Sequence, residues 1–541
     1  MRRLAVRIIV WACISASLAL LAPLACAEGH KAIYNVRDYG ATGQKTDNAQ
    51  HAIQKAVDVC AQAGGGTVYL PPGEYTSGTI HLRSHVTLDI DAGAVLFASD
   101  DDASYDKPTL LYGEDLQNIT IQGRGTVDGQ GEYISQVSDY DDINIHDNRI
   151  LAQAAGRSLA RSFPKGSGVR KVYPHIIFLV RCKDVRIRGL SFLRSPSWTI
   201  YPYACERLVI DSIYIHTSQT QGVWADGIDP DGCKDVHISN STIETGDDAI
   251  VLYSFNISGP ALPCENITIT NCRLSSASAA LKFCDCNINC IRNVTVDNCI
   301  ITEANRGIAF MITMGGYIEN VVLSNLVVSC IRYNWFWWGD GDPVYFMIER
   351  LGERTGHPQP GEPPAGSIRN VTIRNVIAHA KGACLITGYP TSWLDHLSLE
   401  NIKLFISMDP SAGYDKAVNA LQFRYARNLE LKDVEVIWEK PESAKWQSAL
   451  AFEDIQGLRL DKFVGGPAKP QAEIPAVIFN DVQDAFIGSS RALPGTQVFL
   501  NVRGAKSQRI YLVGNELHDA QTAFHLDPDV KAGTVTADHN F

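Results

Sequence analysis

Residues 224–254 read WADGIDPDGCKDVHISNSTIETGDDAIVLYS. Within them, KDVHISNSTI (234–243) alternates apolar and polar residues and is rich in Val, Ile, Ser and Thr, which is the pattern of a half-buried strand. Asp226 precedes this run, and Asp247 and Asp248 follow Asp226 by 21 and 22 residues. If the run is one rung of a coil, the chain returns beneath its starting point after one turn, with ~4.8 Å between rungs. The stretch therefore predicts that three carboxylates share one surface.

The same phrase recurs along the chain as a polar pair, an alternating apolar tripeptide and often an Asn. Copies include QNITIQG, KDVRIRG, ERLVIDS, ENITITN, RNVTVDN, ENVVLSN, RNVTIRN and DHLSLEN. The first apolar positions of six successive copies are 23, 28, 31, 27 and 27 residues apart. These positions are Val185, Leu208, Val236, Ile267, Val294 and Val321. A drifting period of this length predicts an all-β solenoid in which each coil buries its apolar side against its neighbours.

One long helical pattern precedes the repeats, in residues 48–64, NAQHAIQKAVDVCAQAG. Its apolar positions Ile53, Val57 and Ala61 are four residues apart, and glycines end it, as is typical of a helix stop. We expect this helix to cap the exposed edge of the first coil. Two stretches interrupt the rhythm and are expected to be insertions, at 132–173 and 333–366. The sequence thus predicts a single domain over residues 28–541.

Residues 1–27 have the organisation of a secretory signal peptide. MRRLAVR is basic, IIVWACISASLALLA is apolar, and Ala25-Cys26-Ala27 supplies small residues for cleavage. The segment is too short and too early for a membrane span, so we expect a secreted or periplasmic protein without membrane association. A lipid anchor on Cys26 is the alternative.

Charge and cysteine content exclude several classes of partner. The chain carries a net charge of −11, and loss of residues 1–27 would remove three arginines. This acidic balance argues against nucleic acid and anionic lipid as partners. The densest cysteine group, CDCNINC (284–290), matches no common zinc spacing, so disulfides or buried thiols are favoured over a metal site. We predict no metal and no cofactor, and a monomer.

Three carboxylates on one coil surface are suited to general acid and base catalysis. An acid kept protonated by neighbouring charge can protonate a leaving oxygen while another carboxylate activates water. Glycoside hydrolysis uses such a pair, separated by ~5 to 5.5 Å for retention and ~6.5 to 9.5 Å for inversion. Because Asp also forms turns in DG, DP and DD sequences, the spacing alone leaves a purely structural role open.

Six motifs occur in order: NVRDYGATG (35–43), GGGTVYLPPGEY (64–75), TVDGQG (126–131), SPSWTIYP (195–202), DGIDPDGCKDVHISN (226–240) and GDDAI (246–250). Together they resemble glycoside hydrolase family 28, the polygalacturonase-like hydrolases of pectin, over about residues 33–330. The resemblance implies a right-handed parallel β-helix. It also implies that Asp247 is the general acid, that Asp226 and Asp248 position and deprotonate water, and that the anomeric carbon is inverted.

The chain departs from the family pattern around these acids. Trp224-Ala225-Asp226 stands for Asn-Thr-Asp, 278–280 (SAA) stands for Gly-His-Gly, and 309–311 (AFM) stands for Arg-Ile-Lys. The auxiliary histidine and the cations that grip a uronate carboxylate are therefore replaced. Lys282 or Arg306 could supply some of the missing charge, as could the basic part of the insertion at 132–173.

Aromatic residues offer further candidates for substrate binding. Trp335, Trp337 and Trp338 cluster in YNWFWWGDGDPVYF, and Trp224 adjoins the first acid. Exposed indoles suit stacking on sugar rings, although packing onto the coil wall is equally compatible with the sequence.

We predict a glycoside hydrolase acting on O-glycosidic bonds of a plant-wall or other acidic polysaccharide, at a linkage other than that of plain polygalacturonate. A non-catalytic polysaccharide-binding β-helix is the alternative, and a β-helix lyase or epimerase is the third candidate.

Overall fold

The computed structural model describes residues 32–131, 174–219, 224–284, 288–332, 339–355, 360–409, 418–440 and 443–541. The chain winds into a right-handed parallel β-helix. Its strands lie along three faces, called the first, second and third sheets, and they pair with strands of the coils before and after them.

The first sheet contains the strands of the recurring phrase. In the first half of the chain its strands are Ile33–Asn35, Gly66–Leu70, Val86–Ile90, Gln117–Gly123, Lys183–Arg188, Glu206–Asp211, Lys234–Ser239 and Cys264–Thr270. It continues through Cys290–Ala304, Tyr317–Cys330, Ser367–Ala380, Leu394–Ile406, Leu421–Trp438, Leu450–Asp461, Val477–Gly488, Gln508–Val513 and Val535–Asp538. Several of these later strands are long enough to bend around a corner into a second sheet.

The second sheet begins with short separate strands. The third sheet carries the candidate site on its outer face. The second comprises Gly73–Ser77, Ala94–Ala98, Thr126–Asp128, Ser191–Leu193, Tyr214–His216, Thr242–Thr245 and Arg273–Ser276, with Val464–Gly465 and Arg491–Ala492 late in the chain. The third comprises Ile80–His81, Thr109–Glu114, His175–Val180, Ile200–Tyr203, Ile250–Leu252, Ala279–Phe283, Arg306–Ile312, Asp342–Ile348, Cys384–Thr387, Thr496–Arg503 and Ala520–Leu526.

The repeat predicted from the sequence is confirmed by the strand register. The six marker positions, from Val185 to Val321, pair one with the next across successive coils. All six are buried in one continuous core. Side chains alternate across each strand, so Val236 and Ile238 face this core while Lys234 and His237 face solvent. The alternation written in the sequence is thus the wall of the solenoid.

Asparagines at the ends of the phrases form the stacked amide ladder. Asn271 donates to Asn240 (3.2 Å) and Asn298 donates to Asn271 (2.7 Å). Their φ angles lie between 53° and 55°, in the left-handed region that Asn tolerates better than most residues. The chain therefore turns each corner with a residue that both accepts this backbone shape and bonds the next coil.

One long helix within the described residues lies against the first coils. Helix α1 spans Gln50–Gln62, slightly shorter than the predicted 48–64, and buries Ile53, Val57 and Cys60. Gln54 on this helix donates to the carbonyl of His81 at 3.1 Å. The predicted N-terminal helix is confirmed. The sequence did not predict the short helix Leu351–Thr355 or the 3-10 turns Val36–Tyr39 and Asp102–Ser104.

The expected insertion at 333–366 was drawn too wide. Asp342–Ile348 is a regular strand that pairs with Arg306–Ile312 on one side and Cys384–Thr387 on the other. Its pattern was obscured because Trp-rich and Pro-rich segments flank it. The other expected insertion, 132–173, lies outside the described residues, as do 333–338 and the proposed signal segment 1–27.

The eleven cysteines that the structure describes are all buried. Cys182, Cys205 and Cys233 occupy neighbouring coils, and the Cys233 thiol accepts from the Cys205 amide at 3.4 Å. Burial contributes to raising the pKa of Cys205 well above its ordinary value. Of the two alternatives, disulfides and buried thiols, these positions follow the second.

Helices long and apolar enough to cross a membrane are absent from the described ranges.

Candidate active site

The candidate site lies on the outer face of the third sheet. Ile200, Ile228, Ile250, Leu281 and Ile308 stack into the core from five successive coils. Asp226 lies two residues before Ile228, and Asp247 and Asp248 lie just before Ile250. Because Ile228 and Ile250 pair directly, the first acid lies on the coil next to the other two. The predicted juxtaposition of three carboxylates is present.

Close backbone contact joins these two coils. The amide of Gly227 donates to the carbonyl of Asp248 at 2.9 Å. A Cβ at position 227 would lie 2.3 Å from the carbonyl oxygen of Ala249. Only glycine permits this approach, so the DG sequence after Asp226 is a packing requirement of the site and not only a turn.

Asp248 is the most extensively hydrogen-bonded acid. Its Oδ1 accepts from the Ser278 hydroxyl (2.8 Å) and from the Ala279 amide (3.0 Å). Its Oδ2 accepts from the Lys282 ammonium at 3.0 Å. Three donors, one of them charged, hold both oxygens of Asp248 in place. These donors all come from the following coil, on or next to the strand Ala279–Phe283.

Asp247 occupies a contrasting environment. Its Oδ1 accepts from the amide of Asp248 at 3.0 Å, and its carbonyl accepts from Thr245 (2.7 Å) and Ser276 (2.6 Å). Burial, together with the charge of Asp248, raises the pKa of Asp247 to about 8. A carboxyl of this kind remains protonated at neutral pH and can donate a proton.

Asp226 is buried, and its carboxyl shares a hydrogen bond with the side chain of Asp229. Within the part of the chain that the structure describes, Asp226 Oδ1 has no hydrogen-bond partner. Burial, then the charges of Asp247 and Asp229, raise the pKa of Asp226 well above its ordinary value. The raised pKa makes the ionised Asp226 side chain a stronger base than an ordinary aspartate, which suits it to taking a proton from water.

A fourth buried acid, Asp229, belongs to the same cluster. Burial raises the pKa of Asp229 well above its ordinary value, and the charges of Asp248 and Asp247 add to the rise. Sequence reasoning missed Asp229, although DGID placed it three residues after Asp226. Its position opposite Val251 on the outer face, next to the paired Ile228 and Ile250, follows from strand alternation.

The two cations suggested for substrate binding are both engaged by acids of the chain itself. Lys282 contacts Asp248, and Arg306 lies 3.4 Å from Asp342. The Arg306 guanidinium also stacks 3.7 Å from the ring centroid of Tyr345. Both side chains are buried. The structure therefore brings Lys282 into the acid cluster and places Arg306 in a separate internal ion pair on the next coil.

Trp224 lies at the edge of the site. It is 39% exposed and adopts a φ of 126°, which is unusual for a residue with a side chain. Strain of this kind commonly marks functional positions. The other proposed aromatic residues, Trp335, Trp337 and Trp338, lie outside the described residues.

An aromatic cluster that the sequence did not predict flanks the acids on the N-terminal side. Phe178 stacks on Tyr201 at 4.9 Å between ring centroids, and Trp198 stacks on Tyr253 at 5.4 Å. The motif SPSWTIYP was a signal for part of this cluster, since it contains two of these residues.

His, Cys, Asp and Glu side chains form no group of three or more suited to a metal ion within the described ranges.

The model of the family "Glycosyl hydrolases family 28" matches residues 60–335, about half of the chain. The chain belongs to glycosyl hydrolases family 28.

Two curated relatives and one solved structure illustrate the similarity. A probable polygalacturonase from Vitis vinifera is 28% identical over 239 residues, which are 40% of this chain and 43% of that protein. The mannuronan C5-epimerase AlgE6 from Azotobacter vinelandii is 48% identical over 63 residues, 10% of this chain and 7% of that protein. The chain spans less than half the length of these two curated relatives.

The solved structure is a hyperthermoactive exopolygalacturonase from Thermotoga maritima. It superposes with a TM-score of 0.58 at 22% identity, covering 75% of this chain and 92% of that one. At this identity the likeness describes the fold.

Proposed function

We propose that this protein is a glycoside hydrolase that cleaves O-glycosidic bonds of a polysaccharide with inversion at the anomeric carbon. The observation that supports this most strongly is the contrast between Asp247, buried with a pKa of about 8, and the adjacent Asp248, which has three hydrogen-bond donors. Two neighbouring acids in contrasting environments are a usual arrangement for acid and base catalysis.

The chemistry assigns a role to each acid. Asp247 donates its proton to the leaving glycosidic oxygen, and a water on the opposite face of the sugar attacks the anomeric carbon. Asp226 accepts the proton of that water, because its raised pKa makes the ionised side chain a strong base. Asp248 orients the water and keeps Asp247 protonated through its charge.

The proposed substrate is a plant-wall or other acidic polysaccharide with a linkage different from that of plain polygalacturonate. Lys282 and Arg306 are already paired with internal acids and are therefore poor ligands for a uronate carboxylate. Desolvating such a carboxylate without a partner costs several kcal/mol. The Vitis vinifera relative is named a probable polygalacturonase. The substrate proposed for this chain differs from the one in that name.

A panel of purified polysaccharides tests the proposed function. We expect release of reducing ends from a rhamnogalacturonan or another branched acidic glycan, and release from polygalacturonate that is at least about 10-fold slower, because a missing interaction of about 1.4 kcal/mol has that effect. Product anomers followed by proton NMR report the stereochemistry. Rapid hydrolysis of polygalacturonate would contradict the substrate assignment, and retention would contradict the mechanism.

Trp224→Ala is expected to raise KM by about 3- to 10-fold with little change in kcat, since one aromatic contact contributes about 0.5 to 1.5 kcal/mol. Initial rates on the best glycan of the panel measure this. Trp393→Ala is the matched control, because Trp393 donates to Pro390 on a distant coil. An unchanged KM in Trp224→Ala would remove this side chain from the substrate site.

Two other functions are separated by simple measurements. A polysaccharide-binding β-helix would bind glycan and release nothing. An epimerase, which is the activity in the name of the Azotobacter vinelandii relative, would change uronate composition without shortening the chain. A lyase would instead create an unsaturated product that absorbs ultraviolet light.

We further propose that the protein is a monomer, secreted or periplasmic after loss of residues 1–27. The signal-like composition of that segment supports the location. N-terminal sequencing of the exported protein and its elution volume test the two statements.

A further inference from the structure

Lys282 lies inside the acid cluster and not at its rim. It stands on the strand Ala279–Phe283, opposite Val251 on one neighbouring coil and Ala309 on the other. Only 5% of the residue is exposed. Its ammonium lies 3.0 Å from Asp248 Oδ2. A lysine so enclosed is held by the cluster and cannot follow a mobile substrate.

The charge of Lys282 acts on the whole cluster. Burial raises the pKa values of Asp226, Asp229 and Asp247, and the positive charge of Lys282 opposes that rise at all three. Lys282 also contacts Asp248 directly. Because charges interact strongly in a buried environment, one cation among four acids sets how many of them can ionise together.

The contacts of Asp248 limit what that residue can do. Oδ2 is occupied by Lys282, and Oδ1 by Ser278 and Ala279. An oxygen already holding donors is a weak acceptor for a further proton. The Asp226 carboxyl, in contrast, shares a hydrogen bond with the Asp229 side chain, and its Oδ1 accepts from no donor within the described residues. The two acids that could serve as the base are therefore not equivalent.

We propose that Lys282 is a positioning residue of the hydrolytic site, which holds the Asp248 side chain in place through an ion pair and leaves Asp226 as the base. This inference rests on the proposed function. Lys282 therefore acts on the acids through its charge, whereas the sequence suggested that it contacts substrate. It lies on the coil that follows Asp247 and Asp248.

Removal of Lys282 should shift the pH dependence of activity to higher pH. Activity requires Asp226 ionised and Asp247 protonated. Lys282 holds both pKa values down, so its removal raises both. The acidic limb of the pH–rate profile, set by Asp226, moves to higher pH, and the alkaline limb, set by Asp247, moves in the same direction. Loss of packing alone would lower the rate without moving either limb.

The experiment compares Lys282→Met, Lys282→Arg and the wild-type chain on the best glycan of the panel. We expect Lys282→Met to lower kcat/KM by about 100-fold, within the range of charge-stabilising groups in active sites, and to move both limbs to higher pH. Lys282→Arg should keep the limbs near their wild-type positions because it keeps the charge. Lys381→Met is the control, since that half-buried lysine bonds Ser407 on a distant coil. Unmoved limbs in Lys282→Met would overturn the proposal.

A double-mutant cycle with Asp248→Asn provides a readout that needs no activity. Urea unfolding is measured for Lys282→Met in the wild-type and the Asp248→Asn backgrounds. We expect most of the destabilisation by Lys282→Met to disappear when Asp248 is already neutral. Equal destabilisation in both backgrounds would overturn the role of Lys282, even in an active enzyme. A wild-type chain that shows the coupling yet cleaves no glycan would instead contradict the proposed function.

Discussion

Asp247→Asn is expected to lower kcat by at least about 10³-fold, because the amide cannot release a proton to the leaving oxygen. The substitution is nearly isosteric, and a neutral amide resembles the protonated acid that the buried position favours. Glycan binding should therefore survive. Reducing-end release and binding by isothermal calorimetry measure the two properties separately.

The same substitution is expected to stabilise the fold at neutral and mildly alkaline pH. The pKa of Asp247 is about 8 in the folded chain, above its ordinary value of 3.8. Such a carboxyl costs no stability below its unfolded pKa, and the cost grows as pH rises towards 8. Removing the carboxyl should thus raise the free energy of unfolding by about 1 to 4 kcal/mol at pH 7. Urea unfolding at pH 4 and pH 7 measures the difference.

The control for Asp247→Asn is Asp235→Asn. Asp235 accepts from Asn266 at 2.9 Å on the first sheet, away from the cluster. It should change neither turnover nor the pH dependence of stability. Wild-type turnover should also fall as pH rises through about 8, where Asp247 loses its proton. Full activity of Asp247→Asn would exclude this residue as the acid, and a binding-only protein would give no product before or after the change.

Phe310→Ala is expected to destabilise the solenoid by about 3 to 5 kcal/mol. Phe310 stacks between Phe283 and Phe346 at centroid distances of 4.1 and 4.3 Å, fully inside the core. Truncation leaves a cavity that two coils border, and the coils cannot close it because their backbones are hydrogen-bonded to each other. Phe283 also follows Lys282 directly, so the acid cluster should loosen with the stack.

Guanidinium unfolding measures the loss, and Phe486→Ala is the matched control. Phe486 is 38% exposed on the first sheet, so its truncation should cost no more than about 0.5 kcal/mol. Phe310→Leu should lie between these two variants. A loss in Phe310→Ala as small as that in Phe486→Ala would show that the aromatic stack does not hold the coils together.

Periodicity made much of the fold predictable. The recurrence of an apolar tripeptide and Asn identified the inner wall, and Val185, Leu208 and Val236 pair as their spacing required. A repeat can be recognised in the sequence because each coil buries its apolar side with residues of the same types at equivalent positions. The strand Asp342–Ile348 escaped notice because segments rich in Trp and Pro on either side dominate the local pattern.

The acids were predictable and their partners were not. Asp226, Asp247 and Asp248 stand in motifs with fixed spacing. Partners such as Ser278 and Lys282 come from the next coil. The sequence alone does not give the register that places these side chains opposite the acids. The sequence suggested that Lys282 would contact substrate, because the sequence does not show whether the ammonium points into the acid cluster or away from it.

The reactivity of the buried thiols would report where the coils of the solenoid separate. Each of the eleven described cysteines is covered by neighbouring coils, from Cys60 near the start to Cys384 far along the helix. A thiol reagent can reach them only where coils separate, so the positions labelled first would identify where the solenoid unzips. In an oxidising compartment the same property makes the order of events decisive, since a chain that closes its coils quickly protects its thiols and a chain that lingers unfolded exposes them to oxidation.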